Sequence, residues 1–312
     1  MLRFTPYTAE HKSDWDAFVD GAKAPHFMHR RDYMEYHADR FEDASLLVYS
    51  DDKLVGLLPA NVSQEICFSH QGLTFGGVIQ QSQTMSSPLM VSLIEQLGVY
   101  LKNTGVKQLI YKSLPHIYHC RPAQEDQYAL QRVGAALSAV EITTAIDLAY
   151  RGDVSSRRKR GAKKAAKAGL TFQQSDNWFA YWKILTARLQ DQHNMRPVHT
   201  VEEAQLLAGR FPRNIRLFTA EQQSRILAGV VIFETLMVAH AQYIAASPEG
   251  LDVGALDGLF EYLIGQFSGE KRYLDFGIST EDQGGVLNEG LVRQKEQFGG
   301  SGIVHTAYIL NL

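Results

Sequence analysis

The chain has 312 residues, 45% of them hydrophobic and 21% charged, with a net charge of −3. Such proportions belong to a folded globular protein and exclude a disordered chain, and the length favours two domains over a single core. The charge excludes a globally basic nucleic-acid binder, no run nears the roughly 20 apolar residues of a membrane span, and the first residues lack the apolar core of a secretion signal, so a cytoplasmic protein is expected.

Residues 14–20 and 29–36 read as helical, and Ser45-Leu46-Leu47-Val48-Tyr49 reads as a strand ending at the turn Asp51-Asp52. Residues 53–62 return as a second strand, which makes a hairpin. Residues 65–68 form a further strand, followed by the glycine-bearing loop 70–77, a helix over 88–104 and a strand over 106–112. The same order comes back in the second half. Residues 215–220 run into a polar turn at 221–224 and return as 225–234, then a strand over 238–245, a helix over 256–266 and a strand over 273–276 follow. Leu54-Val55-Gly56-Leu57-Leu58 matches Leu227-Ala228-Gly229-Val230-Val231, so the halves read as an old duplication. Hairpins followed by a crossing helix imply a mixed sheet covered by helices, an α/β architecture. The boundary is expected just after the strand 140–148, giving domains 1–150 and 151–312. There the composition turns to the basic run 157–167, good helix material with a serine start at Ser155 or Ser156 and a glycine stop at Gly169.

Several residues carry chemistry. Asp275, Ser279, Glu281, Arg293 and Lys295 fall near one strand edge, where open α/β sheets bind ligands. His70 and Gln71 sit in the loop of the first half, open to an acceptor substrate. Tyr243 can present its hydroxyl from a strand, or simply pack. Arg160, Lys163, Lys164 and Lys167 follow one side of the basic helix, a surface suited to the phosphates of a nucleotide-linked or lipid-linked acceptor, or to RNA, although no aromatic residue is interleaved. The two cysteines, Cys67 and Cys120, lie in or beside apolar runs and read as buried inert thiols. His116 and His119 have helical ligand spacing but follow Pro115 without an acidic fourth ligand, so no metal is expected. There is no Gly-x-Ser-x-Gly elbow, which argues against a covalent acyl-enzyme.

The segments 157–170, 193–199, 240–245, 275–279 and 288–299 together resemble the FemAB-related branch of the GNAT acyltransferase superfamily, in particular the type associated with polysaccharide and cell-envelope biosynthesis. The resemblance spans almost the whole chain and implies two tandem GNAT-like domains. It implies transfer of an acyl group, acetyl in the simplest case, from an acyl-CoA donor substrate to an amine or hydroxyl of a sugar or cell-envelope precursor. The loop 246–258 lies where such a fold takes its donor, with Gly250 and Gly254 as candidates for close backbone approach to a pyrophosphate. Backbone N–H groups near Ala245 and Ala246 are candidates for holding the oxyanion. Lys295 falls on the family's lysine, two residues, phenylalanine signature, where the lysine is thought to steady the oxyanion. Asp275, Glu281 and His70 are alternative proton acceptors that the sequence does not rank.

Two family features are missing, a long charged heptad arm and the strict Gln/Arg-x-x-Gly-x-Gly/Ala phosphate loop. Three readings therefore stand: an acyl-CoA-dependent acyltransferase, a Fem-like aminoacyltransferase using aminoacyl-tRNA, and a catalytically degenerate GNAT-fold binding module.

Overall fold

The computed structural model describes residues 2–312, without the side chains of residues 192 and 193, so the His193 side chain within the family resemblance lies outside the described part. It divides into two compact units. The first comprises Met1–Ile142, Thr280–Val286 and Val304–Leu312, and the second Thr143–Ser279 and Leu287–Ile303. The change of unit thus falls at 142/143 where the sequence pattern suggested 150/151, and the chain returns twice to the first unit near its end. The reason is that two long strands, Ala136–Asp147 and Ser301–Asn311, each run from one unit into the other.

In the first unit Leu2–Pro6, Leu46–Ser50, Lys53–Leu58 and Ile79–Gln80 form an antiparallel sheet in that order. The expected strand over 53–62 is broken at Pro59, which cannot donate to a ladder. Asn61–Ser63 instead pairs with Ile66–Phe68 in a second sheet, which continues through Gln108–Lys112 to Ser301–Asn311. The helix Ser87–Asn103, capped by Ser86, buries Met90, Leu93, Ile94, Leu97 and Leu101. These meet Cys67, Leu109, Tyr111, Tyr308 and Leu310 in one core. The helix expected over 29–36 is a single α-turn, Arg31–Met34, flanked by two 3-10 turns. Cys67 is buried, whereas Cys120 is exposed, because it follows the 3-10 turn His116–Tyr118 in a loop outside that core.

In the second unit the order is Thr171–Ser175, Ile215–Gln222, Arg225–Glu234, Val238–Ala246, Tyr273–Ile278 and then Ala136–Asp147. Val238–Ala246 and Tyr273–Ile278 run parallel, as the intervening helix Ala255–Phe267 requires. That helix packs Leu259, Leu263 and Phe267 against Val230, Ile232, Ala239 and Ala241. The basic helix Ser156–Lys167, capped by Ser155, packs on it through small residues. A Cβ on Gly254 would come within 2.6 Å of the Gly161 carbonyl oxygen, and one on Gly258 within 2.8 Å of Ala165 Cβ. The opposite face is covered by the helix Trp178–His193, whose buried Tyr181 ring would lie 2.4 Å from a Cβ on Gly229.

The two hairpins share more than sequence. Each has a two-residue turn, and each bulges at the third residue beyond it, Val55 in the first and Leu227 in the second. By this register Gly56 corresponds to Ala228, one residue off the match that the glycines suggest. Gly229 is instead set by the Tyr181 ring.

Leu263, fully buried, should cost about 2–5 kcal/mol when replaced by alanine. Urea denaturation followed through Trp178 and Trp182 fluorescence measures this, and a loss below about 1 kcal/mol would contradict the packing described.

Candidate functional site

The parallel strands Val238–Ala246 and Tyr273–Ile278 pair at Val238–Tyr273, Ala239–Leu274 and His240–Asp275, and then separate. Both strands carry a cause. In the first, the register slips between Ile232–Ala241 and Val231–Tyr243, so Gln242 is an extra residue that bends the strand and raises its twist. In the second, Gly277 takes φ +78°, a left-handed conformation that turns the chain away. The first strand continues to Ala246 with its far edge open. The Ser247 N–H bonds to the Leu227 carbonyl at 2.9 Å. By two-residue alternation the amides of Ala245 and Tyr243 therefore face the neighbouring strand, and those of Ile244 and Ala246 face the gap.

The gap opens into a cavity of about 270 Å³ bounded by Ile244, Ala245 and Ala246 on one side and by Phe260, Phe276 and Phe298 on the other. Those three rings form a cluster with centroids 4.7–5.4 Å apart. A second cavity of about 560 Å³ adjoins it, sharing Arg158, Arg188, Leu251, Leu256 and Gln294. Its lining adds Arg157 and Arg293, so four guanidinium groups surround one space. Arg158 lies over the Phe298 ring at 4.4 Å and donates to Asp257 at 2.6 Å and to the Gln294 carbonyl at 3.1 Å. Its buried Nε has no partner among the described residues. The helix Ala255–Phe267 begins at this cavity from Gly254 without a side-chain cap. Uncapped helix amides and arginines together favour an anion, phosphate above all.

At the apex, Asp275 is fully buried. It accepts hydrogen bonds from Thr143 Oγ1, from His240 Nδ1 at 2.7 Å and from the Gly277 N–H at 3.2 Å. A carboxylate receiving the Nδ1 proton leaves Nε2 of a neutral His240 as the acceptor. Lys295 reaches the same turn from the helix Glu289–Glu296 and spends its three protons on the carbonyls of Gly277 and Ile278 and on Ser279 Oγ, at 2.7, 2.8 and 2.8 Å. Burial pushes its ammonium down to about 8, with the Asp275 carboxylate pulling the other way. Phe233 and Val231, two residues apart, lie opposite His240 and Tyr243. These two side chains therefore share the face covered by the helix Trp178–His193. There Tyr243 meets Trp182 edge to face, and its hydroxyl bonds His199 Nδ1 at 2.6 Å.

The structure thus brings Lys295, Asp275, Ser279 and Ala246 to one gap, where Ala245 lines the cavity but turns its N–H to the neighbouring strand and so is no oxyanion donor, with Arg293, Gly250 and Gly254 at the arginine-lined cavity beside it. Packing already demands both glycines: a Cβ on Gly250 would sit 2.2 Å from the Leu227 carbonyl oxygen, and Gly254 has φ +75°. Arg160 and Lys164 are exposed and line neither cavity, Arg157 and Arg158 being the residues of that helix that do. Glu281 belongs to the first unit and is exposed on the two-residue strand Thr280–Glu281. His70 and Gln71 also belong to the first unit. His70 is buried against His37 at a centroid distance of 5.5 Å, and burial, reinforced by His37, pushes it down to about 4, so it stays neutral near pH 7. Gln71 is held to Asn61 by two hydrogen bonds. His240, Thr143, Arg157, Arg158 and Arg188 were not singled out from the sequence. Among the described residues no group of three or more His, Cys, Asp or Glu is placed to hold a metal ion, and no helix is long and apolar enough to cross a membrane.

The first unit has no such gap at its own parallel pair. After Ile66–Phe68 the Ser69 N–H bonds to the Ile110 carbonyl and the Gly76 N–H to the Lys112 carbonyl. The buried Tyr111 hydroxyl fills the space behind, accepting from the Val78 N–H at 2.6 Å and donating to Asp126 at 2.7 Å.

Lys295 gives the second unit a pH signature. Its affinity for a proton is lower folded, about 8, than at its ordinary value of 10.5, so the burial penalty is full below pH 8 and is relieved as pH rises to 10.5. Paired urea titrations should show the native protein gaining stability relative to Lys295→Met across that window. A difference independent of pH would contradict the burial described.

No family model matches the chain, and no curated protein matches it. Solved structures do. FemX superposes with a TM-score of 0.72 at 10% identity, over 99% of this chain and 97% of that one. The C-terminal domain of a putative lysylphosphatidylglycerol synthetase from Agrobacterium fabrum gives 0.63 at 12% identity, over 97% and 92%. A tandem GNAT protein from the clavulanic acid biosynthesis pathway gives 0.54 at 13% identity, over 100% and 98%. The fold of this chain is accordingly the one shared by FemX and the tandem GNAT protein, two GNAT-like domains in tandem.

Proposed function

We propose that the second unit is an acyltransferase, taking an acyl group from an acyl-CoA and passing it to an amine or hydroxyl. The observation that carries this reading is the gap beyond His240–Asp275, which leads through an apolar cavity into an arginine-lined one. An acyl thioester has the same polarity along its length: a neutral acyl and pantetheine end, then phosphates. The likeness to the polysaccharide and cell-envelope type argues for a sugar or envelope precursor as acceptor.

In this reading the acyl carbonyl lies in the gap with its oxygen toward the Ile244 or Ala246 N–H, a preset donor for the developing oxyanion. The acceptor approaches from the face of His240 and Tyr243. As its nitrogen or oxygen bonds to the carbonyl carbon, His240 Nε2 takes its proton and Asp275 stabilises the imidazolium; the C–S bond breaks, the sulfur leaves as thiolate, and the imidazolium's proton passes to it, directly or through water, to give the free thiol. Asp275, buried beneath three donors, acts through His240. Lys295, its protons already engaged, acts by fixing the turn 277–279. A second reading, in which the donor is an aminoacyl-tRNA, is favoured by one feature. The helix Ser156–Lys167 exposes Arg157, Lys159, Arg160, Lys163, Lys164 and Lys167 without an acidic residue.

Native mass spectrometry with acetyl-CoA should give a one-to-one adduct, weakened about tenfold or more by Arg293→Ala. His240→Gln should lower kcat by about 10²–10⁴ with the adduct retained. RNA carried through purification, with no CoA adduct, would move the donor to the second reading. Neither adduct nor RNA, with no turnover, would leave a non-catalytic binding module.

A further inference from the structure

The first unit has a cavity of its own, about 530 Å³, that the acyl-transfer reading leaves unused. Its floor follows from strand alternation. Leu109 and Tyr111 on one strand and Tyr308 and Leu310 on its neighbour enter the core, so Ile110, Lys112, Ala307 and Ile309 face the other way, into the cavity. Phe68 and Phe75 give it aromatic surface.

Two opposite charges face this space. Lys112 and Glu141 both line it and both are half-buried. Lys112 Nζ donates to the Leu73 carbonyl at 3.1 Å, yet neither residue makes an ion pair among the described residues. Ser113 also lines the cavity, but its hydroxyl is buried behind the lining, without a hydrogen-bond partner among the described residues. Burial holds the Lys112 ammonium below its ordinary value, while Glu141 pulls it up. The attraction of Glu141 thus offsets only part of what burial costs Lys112, and the remainder is open to a ligand's opposite charge. A ligand with a single charge would satisfy one and leave the other, whereas a ligand carrying both charges satisfies both. The volume falls within the roughly 300–1,000 Å³ of small-molecule sites and exceeds what one small amino acid fills.

We infer that this cavity binds a zwitterionic ligand of amino-acid type, of about dipeptide size, with its carboxylate on Lys112 and its ammonium on Glu141. The carboxamides of Gln71 and Gln283 meet the groups between, and Phe68 and Phe75 take an apolar side chain. The inference is independent of the acyl-transfer reading.

The test uses the full chain and saturation-transfer NMR with two mixtures, the twenty free amino acids and the alanyl-Xaa dipeptides, followed by calorimetry on whichever member binds. At least one zwitterion should bind, and its N-acetylated and C-amidated forms should each bind at least about tenfold more weakly. Lys112→Met and Glu141→Gln should each produce a loss of the same order while the acetyl-CoA adduct stays as in the native chain and the protein remains folded by circular dichroism. No binding from either mixture, equal binding of the blocked forms, or unchanged affinity in both variants would overturn the inference. The CoA measurement keeps its failure separate from failure of the acyl-transfer reading.

Discussion

A β-strand that loses its neighbour exposes backbone groups that must find another partner, because buried unsatisfied amides and carbonyls are costly. In the second unit this happens by construction. The strand Val238–Ala246 follows its parallel neighbour for three pairs and continues alone, displaced by the extra residue Gln242 and by the left-handed Gly277. Everything around the site answers that separation. Three phenylalanines line the opened space, arginines surround its outer end, and Lys295 spends its three hydrogen bonds on the residues at the bend. The first unit, built from a similar hairpin and crossing helix, keeps its strands together and places Tyr111 behind them, so the gap has no counterpart there.

Asp275 is the electrostatic centre of this arrangement. A buried carboxylate is tolerated when it is hydrogen-bonded and a cation lies near, and Thr143, His240, the Gly277 amide and Lys295 supply both conditions. Each partner comes from a different element: a strand that enters from the first unit, the neighbouring strand, the bend itself and the helix that follows. The geometry at the apex therefore depends on the whole unit being folded. Asp275 in turn holds the His240 ring by its Nδ1, the orientation that the proposed proton transfer needs.

Much of the fold was legible because its signals are local. The hairpins announce themselves by alternation around short turns, and the basic helix by Ser155 before it and Gly169 after it. The site was legible only in part. Lys295 and Asp275 stand in a segment dense in polar residues, but His240 sits among alanines in a strand and meets Asp275 only because a parallel pairing aligns residues 35 apart in sequence. In the basic run, composition could not say which cations border the cavity. Contact at Gly161, Ala165 and Gly258 decides that, aiming Arg157 and Arg158 at the cavity and leaving Arg160 and Lys164 outside. The division between units was hidden for a similar reason, since the return of residues 304–312 rests on pairing with Gln108–Lys112, far away in the chain.

The central claim is that the separated strands hold an acyl group. The most direct measurement is a crystal structure with a non-transferable acetyl-CoA analogue in which the thioester sulfur is replaced by methylene. The account predicts the acyl oxygen within hydrogen-bond distance of the Ile244 or Ala246 N–H and the phosphates among Arg157, Arg158, Arg188 and Arg293. An analogue bound elsewhere, or a gap left empty at saturating concentration, would contradict it.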